Sequence, residues 1–223
     1  MTLYIAPVVE GHTERGCLER LLWRVWNELL TSSERLQVLE PFRGHRDSLT
    51  QSDGKVLAGT VLKAALKLRA ASQKDPNAQI LVLILLDAES DCPAAFAPRL
   101  SEVAKKSVPD GIPIACVLAK RMLENWIVAG SSTLAGVNGL PNPLPSHDDP
   151  ESCGGAGWLD GQLRSVNKTR KYTKTADAKV FVGAMDLKRC RDTAPSFDKL
   201  CRELESRLPS LPPSEETAPP PTN

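Results

Sequence analysis

The sequence predicts an α/β domain built on a mostly parallel β-sheet with helices on both faces. The apolar run at residues 80–86 is short and rich in Ile, Leu and Val, which is typical of a strand buried on both sides. Shorter β-prone runs at residues 3–9 and 112–118 alternate with stretches whose apolar residues recur at helical spacing. This alternation indicates right-handed β-α-β crossovers, which produce a parallel sheet.

The elements follow one another closely in the first half of the chain. After the strand at 3–9, a helix places five apolar residues on one face, namely Leu18, Leu21, Leu22, Val25 and Leu29. A weaker strand at 34–39 precedes a second helix, whose shared face carries Leu57, Val61, Ala64, Ala65 and Leu68. The central strand then leads to a third helix, with Phe96, Leu100, Val103 and Ala104, and the strand at 112–118 leads to a short helix near 122–129.

The second half departs from this pattern. We predict an insertion at about 131–165, of which residues 131–157 are rich in Gly, Pro, Ser, Asn and Asp and form a long loop. Such a loop in a small domain is usually functional or mobile. A C-terminal helical extension follows, with apolar positions at Phe197, Leu200, Cys201, Leu204 and Leu208. We therefore expect one domain over 1–207 and a disordered, proline-rich tail over 208–223.

Composition narrows the class of protein. The chain has 223 residues and a net charge of +1, so no overall field points to nucleic acid or to a membrane surface. Its 6 cysteines contain no CxxC pair, which argues against zinc ribbons and disulfide frameworks and predicts reduced, mostly buried thiols. No apolar segment is long enough to anchor or export the chain, so we expect a cytoplasmic protein.

Acidic residues follow the predicted strands. Glu10 comes directly after the first strand, and Asp87, Glu89 and Asp91 follow the central one. The carboxyl ends of parallel strands share one edge, so these carboxylates are expected to converge. A divalent cation would relieve their mutual repulsion, and an all-oxygen ligand set favours Mg²⁺ or Mn²⁺ over zinc. The alternative is that these acids only cap helices.

Four segments carry a resemblance to a known family. They are VEGHTE at 9–14, LDAESDCP at 86–93, AKRMLENW at 119–126, and residues 186–204 with their Pro-Ser-Phe. They resemble the TOPRIM domain, a Rossmann-like fold in which a Glu-Gly after the first strand and an Asp-x-Asp after a later strand share Mg²⁺. The chain is more closely similar to small standalone TOPRIM-like proteins labelled only as a domain of unknown function. In this sequence Glu89 stands at the second aspartate position of that motif.

The resemblance implies an activity and partners. Relatives of this kind often adjoin ABC-type or SMC-like ATPases in bacterial anti-phage neighbourhoods, and the overcoming-lysogenization-defect nucleases join both parts in one chain. The expected function is a Mg²⁺-dependent nuclease acting on DNA or RNA, with an ABC-type ATPase as partner. Glu10 is the expected general acid or base, and Lys120 the group that stabilises the phosphate. The expected metal ligands are Glu10, Glu14, Asp87, Glu89, Asp91 and Glu124.

Several assignments have open alternatives. Arg43, Arg46, Lys171 and Lys174 are candidates for nucleic-acid contacts, or else they are solvated side chains of a polar loop and a connector. Lys120 is alternatively a solvated lysine at the start of a helix. Glu124 is either a further ligand or the buried partner of an arginine such as Arg121. The whole protein could also be a non-catalytic, metal- or nucleotide-binding partner of an ATPase. A phosphotransferase built on Asp87 is a weaker alternative, because the flanking pattern of receiver and haloacid-dehalogenase proteins is missing.

Overall fold

A parallel sheet organises the part of the protein that the structure describes. The structure, a computed structural model, describes residues 1–209 and, within them, every side chain except those of residues 12–15. The strands are β1 (Thr2–Val9), β2 (Arg35–Val38), β3 (Phe42–Arg43), β4 (Ala78–Asp87) and β5 (Ile114–Ala119). Their order is β2-β1-β4-β5, every pairing is parallel, and β3 pairs with the end of β1 beyond β2.

The helices fill the connections between the strands. They are α1 (His12–Arg24), α2 (Arg46–Leu49), α3 (Lys55–Ser72), α4 (Pro93–Ser107), α5 (Glu124–Ala129), α6 (Gly155–Val166), α7 (Lys174–Ala184), α8 (Leu187–Thr193) and α9 (Pro195–Glu205). Helix α1 continues into a π-helical turn, Val25–Leu29, and single 3₁₀ turns lie at Ser131–Thr133 and Val137–Gly139. Among the described residues, no helix is both long and apolar enough to cross a membrane.

Two hydrophobic cores lie on opposite faces of the sheet. Because side chains alternate along a strand, Leu3 and Ile5 of β1 pack with α1, α5 and α7 to α9, whereas Tyr4, Ala6 and Val8 pack with α3 and α4. Both central strands are therefore buried on both sides, as their continuous apolar runs require. The predicted α/β fold with a parallel sheet covered on both faces is confirmed.

The predicted loop at 131–157 is anchored to the rest of the domain. Asn125 Nδ2 donates to the carbonyl oxygens of Pro150, at 2.6 Å, and Cys153, at 2.8 Å. Glu151 accepts a hydrogen bond from the backbone N–H of Ser196 at 2.9 Å. The last part of the predicted insertion forms helix α6. This helix was not predicted, because residues 153–157 have the composition of a loop.

Other differences are local. Strand β5 begins at Ile114, directly after Pro113, which cannot donate to the ladder. The short β3 was not predicted, nor was α7, which occupies much of the basic stretch at 164–179. All six cysteines are free: four are buried, Cys153 is partly buried and Cys92 is exposed. Of the predicted tail, residues 210–223 lie outside the described part of the chain.

Candidate functional site

Glu10 and Asp87 meet at the carboxyl edge of the sheet. In the register of β1 and β4, Val9 lies beside Leu85, so the residues that follow leave the sheet at the same end. Neighbouring strands are roughly 5 Å apart, which brings these two strand ends close together. Asp87 is 9% exposed and Glu10 is partly buried. The predicted convergence of these strand ends is present in the structure.

Asp87 has a structural contact in addition to its position at the edge. Its Oδ1 accepts the backbone N–H of Leu123 at 2.8 Å, just before α5 begins. This bond ties the end of β4 to the start of α5. Asp87 therefore has a structural contact at the start of α5, and its role in a metal site stays a prediction.

Arg46 of α2 lies against the turn that follows β4. Its Nε donates to the carbonyl oxygen of Asp87 at 3.0 Å, and its Nη2 donates to that of Ala88 at 3.3 Å. The same guanidinium pairs with the Asp91 carboxylate and lies 3.4 Å from Glu89 Oε2. Arg46 thus supplies in this structure the positive charge that the sequence argument assigned to a metal ion.

The turn itself has an unusual backbone. Glu89 has φ of +51°, in the left-handed region that residues other than glycine rarely adopt. Its N–H donates to the carbonyl oxygen of Arg121 at 2.8 Å, which links the turn to the segment after β5. On the other side of the edge, Arg43 Nε donates to the carbonyl oxygen of Glu10 at 3.2 Å. Arg43 and Arg46 therefore both lie at the edge where the carboxylates gather.

Glu124 is fully buried at the start of α5. Its Oε1 lies 3.4 Å from Lys174 Nζ and accepts the Tyr172 hydroxyl at 3.4 Å, while its Oε2 has no hydrogen-bond partner among the described residues. Burial raises the pKa of Tyr172, and the neighbouring Glu124 carboxylate raises it further. The suggested pairing of Glu124 with Arg121 is wrong, because Arg121 Nη1 donates to the carbonyl oxygen of Ser152 at 2.9 Å.

Lys174 and Lys171 differ in their surroundings. Lys174 is half exposed and contacts Glu124, so its charge is partly committed to a buried carboxylate. Lys171 is exposed. The two lysines therefore do not form one uniform basic surface, although both lie in the predicted basic stretch.

Lys120 follows β5 at the same edge of the sheet. Its backbone N–H donates to Ser196 Oγ at 3.1 Å, and its side chain lines a groove together with Cys92. The pKa of Cys92 is lowered chiefly by the backbone N–H of Ala95, then by that of Ala94, and also by Lys120. Within the described side chains, Lys120 forms no ion pair with a carboxylate.

The carboxylates of the edge have the chemistry of a Mg²⁺ site, but in this structure they are divided among protein partners. Asp87 Oδ1 is bonded to Leu123, and Glu89 and Asp91 pair with Arg46. The described side chains contain no group of three or more His, Cys, Asp or Glu residues that could hold a metal ion. The side chain of Glu14, another predicted ligand, lies outside the described residues. An oxygen-ligated cation fits this edge if Arg46 releases its two carboxylates.

Ser196 was not predicted as a site residue. Its Oγ accepts from Trp126 Nε1 at 2.7 Å and from the N–H of Lys120, and it donates to Glu151. The sequence gives one signal, because Ala-Pro-Ser marks a helix start with proline at its first position. The partners of the hydroxyl, which are 45 to 76 residues away, leave no local pattern.

Comparison with known proteins gives one match. The family described as a domain of unknown function (DUF4276) matches residues 9–205. No curated protein matches the chain, and no solved structure matches it either. The matched range contains β2 to β5, the nine α-helices of the described residues and every candidate site residue named above. The chain therefore belongs to the DUF4276 family.

Proposed function

We propose that this protein is a Mg²⁺-dependent nuclease that hydrolyses phosphodiester bonds in DNA or RNA. The observation that carries the proposal is the arrangement of Glu10, directly after β1, and Asp87, at the end of the adjacent β4, with Glu89 and Asp91 in the turn that follows. Open α/β sheets bind their ligands at this edge. Mn²⁺ suits the same oxygen ligands.

The residues of the edge have distinct roles in this proposal. Asp87, Glu89 and Asp91 would hold the cation, with Glu10, Glu14 and Glu124 as further ligands. The bound cation would lower the pKa of the attacking water and neutralise charge on the leaving oxygen. Glu10 would act as the general base that takes a proton from the attacking water. Lys120, which follows the neighbouring strand, stabilises the charge that develops on the phosphate.

Arg46 affects both metal binding and phosphate binding in this proposal. In the structure it neutralises Glu89 and Asp91, which would otherwise repel each other. Release of these carboxylates would leave a guanidinium beside the site, and its planar donors suit a phosphate group. Arg43 lies at the same edge and would contact the nucleic-acid backbone in the same way.

The proposed biological setting rests on the resemblance described above. TOPRIM-like proteins of this size accompany ABC-type or SMC-like ATPases in anti-phage defence. We extend the proposal to an effector subunit of such a system, acting in the cytoplasm. Free cysteines suit that compartment.

A second function has an observation in its favour. Arg46 already provides the positive charge for the acidic turn, so the turn is balanced without a metal. That arrangement favours a non-catalytic subunit of an ATPase complex, which uses the edge only to bind a metal or a nucleotide. The substitution of Glu for the second aspartate of the motif, which moves the carboxylate by about one bond length, points in the same direction.

A pair of variants separates these functions. Glu10→Gln should lower nuclease activity at least about a hundredfold, the usual scale for loss of a general base, while nucleic-acid binding is retained. Glu19→Gln, at an exposed position of α1, is the matched control and should keep full activity. The assay contains Mg²⁺ or Mn²⁺, the partner ATPase and ATP, with DNA and RNA substrates. If neither the chain nor the complex cleaves, the non-catalytic function replaces the nuclease.

A separate measurement tests the metal. Mg²⁺ should raise the melting temperature of the wild-type chain by binding the folded state, and Asp87→Asn should remove that increase. Asparagine keeps an oxygen that accepts the Leu123 N–H, so the contact with α5 survives. Asp148→Asn, in an exposed part of the insertion, controls for loss of one negative charge. A wild-type melting temperature that does not respond to Mg²⁺ or Mn²⁺ refutes the site.

A further inference from the structure

A groove runs along the outer edge of the sheet. It lies between α4 and α9, has a volume of about 600 Å³, and has an apolar floor formed by Ile114, Cys116 and Leu118 of β5. Strand β5 pairs with β4 on its other side. Within the described part of the chain, no strand pairs with the side of β5 that faces the groove.

The backbone of β5 presents hydrogen-bonding groups to this groove. The carbonyl oxygen of Pro113 accepts from Val82 of β4 at 3.0 Å, and that of Ala119 accepts from Ala88, just after β4, at 2.8 Å. The peptide groups of odd-numbered residues of β5 therefore face β4. Because peptide groups alternate in direction along a strand, those of residues 114, 116 and 118 face the groove. The N–H of Lys120, next in this series, confirms the direction by donating to Ser196 Oγ. The described residues supply no hydrogen-bond partner for the peptide groups of residues 114, 116 and 118.

The walls of the groove carry more positive than negative charge. Four basic side chains line it, namely Lys105, Lys120, Lys199 and Arg202, against two acidic ones, Glu151 and Glu203. Glu151 is bonded to Ser196, Glu203 is paired with Lys199, and Arg202 is paired with Asp198, which lies outside the lining. Lys105 and Lys120 form no ion pair with any carboxylate that the structure describes. The groove is therefore complementary to a chain with negative side chains.

We infer that this groove binds an extended, acidic peptide segment of a partner protein, which adds to β5 as a further strand. An unpaired edge offers N–H and C=O groups in alternation, and an extended peptide returns the same groups in the complementary order. A nucleic-acid backbone has only acceptors at its phosphates and matches half of these groups. Alternate side chains of the added strand would point to opposite faces of the sheet. Apolar ones would lie beside Ile114, Cys116 and Leu118 on the α4 face, and acidic ones would point toward Lys199 and Arg202 of α9.

The chain's own residues beyond 209 suit this position less well than a separate partner. Helix α9 packs in the same core as α1, on the face opposite α3 and α4. A parallel strand that followed α9 and lay beyond β5 would need a left-handed crossover, which proteins very rarely use. The inference does not depend on the nuclease proposal, because none of its evidence involves Glu10 or Asp87.

A labelled peptide tests the inference on the full chain. The probe is a ten-residue peptide of alternating valine and glutamate, and binding is followed by fluorescence polarisation. It should bind saturably, whereas a valine–lysine peptide should not. Lys105→Glu should weaken binding about fivefold or more, through reversal of one wall charge. Lys106→Glu, the next residue on α4 but outside the lining, should change it less than about twofold.

Backbone pairing has its own test. Two forms of the probe are made, one with every valine N-methylated and one with every glutamate N-methylated. Since the N–H groups of alternate residues face β5, one form should lose binding and the other should keep it. Equal binding of both forms, or no binding of the unmodified probe, refutes strand addition.

Two further results would assign the groove to another occupant. Glu215→Ala with Glu216→Ala removes the acidic residues beyond 209, and several-fold tighter probe binding by that variant would identify the chain itself as the occupant. Displacement of the probe by a ten-nucleotide oligothymidine would identify nucleic acid instead. We expect neither tighter binding by that variant nor displacement by the oligonucleotide. Thermal melting checks that every variant is folded.

Discussion

Replacement of Arg46 by Met tests the balance of charge at the acidic turn. The side chain of Arg46 is only 15% exposed and makes two hydrogen bonds to carbonyl oxygens, of Asp87 and Ala88. It also faces Asp91 and Glu89, whose side chains are 44% and 61% exposed. Methionine keeps much of the aliphatic volume but removes all of these polar contacts.

The expected loss of stability follows from those contacts. Hydrogen bonds to a charged group contribute about 1.5–3 kcal/mol each when protected from water, and those of Arg46 are long enough that we expect roughly 2–4 kcal/mol in total. The ion pairs to the exposed carboxylates add less than about 1 kcal/mol each, because water screens them. Without metal, Arg46→Met should therefore lower the free energy of unfolding by roughly 2–5 kcal/mol.

Mg²⁺ should offset part of that loss. With Arg46 absent, Glu89 and Asp91 have no competing cation, so the metal should bind more tightly than in the wild type. At a Mg²⁺ concentration of a hundred times Kd, mass action stabilises the folded state by about 2.7 kcal/mol. Urea unfolding with and without Mg²⁺, at matched ionic strength, measures both effects.

Arg46→Lys serves as the control. Lysine keeps the positive charge but loses the planar donors, so it should lower stability while leaving the response to Mg²⁺ close to that of the wild type. If Arg46→Met responds to Mg²⁺ no more than Arg46→Lys does, the carboxylates of this turn do not form a metal site. If Arg46→Met is as stable as the wild type, the structural account of the turn is refuted.

Three other predictions concern stability. Gly155→Ala should lower the free energy of unfolding by about 1–3 kcal/mol, because the new Cβ would lie 2.7 Å from the backbone nitrogen of Asn125. Gly157→Ala, which has open space at its Cβ, is the control and should not lower it. Equal urea midpoints for the two variants would contradict this. Lys174→Met should lower the free energy of unfolding by about 1–2 kcal/mol, because the buried Glu124 loses its ion pair with this lysine. Lys171→Met, at an exposed position, should lower it by less than about 0.5 kcal/mol. Similar urea curves for the two variants would contradict this. A hydrogen bond from the N–H of Arg189 lowers the pKa of Asp186 in the folded state. The stability that this bond gives is therefore present above the unfolded pKa of about 4 and is lost as the pH falls through the lower folded pKa. Asp186→Asn should flatten the dependence of the free energy of unfolding on pH below about pH 4, and an unchanged curve would contradict this.

The parallel sheet was predictable because its signal is local. The run at 80–86 is apolar at every position, and only a strand covered on both faces buries such a run. The positions of Glu10 and Asp87 followed from chain order alone, since every crossover returns the chain to the same end of the sheet. Helix α7 was hidden because its basic and small residues carry little amphipathic pattern, and Tyr172, just before it, contributes to the core through distant partners.

The contacts of the site were not predictable in the same way. Arg46 lies 41 to 45 residues before the groups that it contacts, in a stretch that looks like a polar loop. Sequence spacing cannot show that its guanidinium lies between Asp91 and the end of β4. The same limit applies to Glu124, because its lysine and tyrosine neighbours come from a segment about 50 residues later.

The hydroxyl of Ser196 has a consequence for synthesis of the chain. It joins the end of β5, the indole of Trp126 and Glu151, across sequence separations of 76, 70 and 45 residues. Contacts of such separation form late, after the local elements have been made. A nascent chain that ends before α9 therefore has the central strands but lacks Ser196, which bonds to the residue after β5. Whatever the carboxyl edge of the sheet binds, its contacts are complete only after α9 has been synthesised.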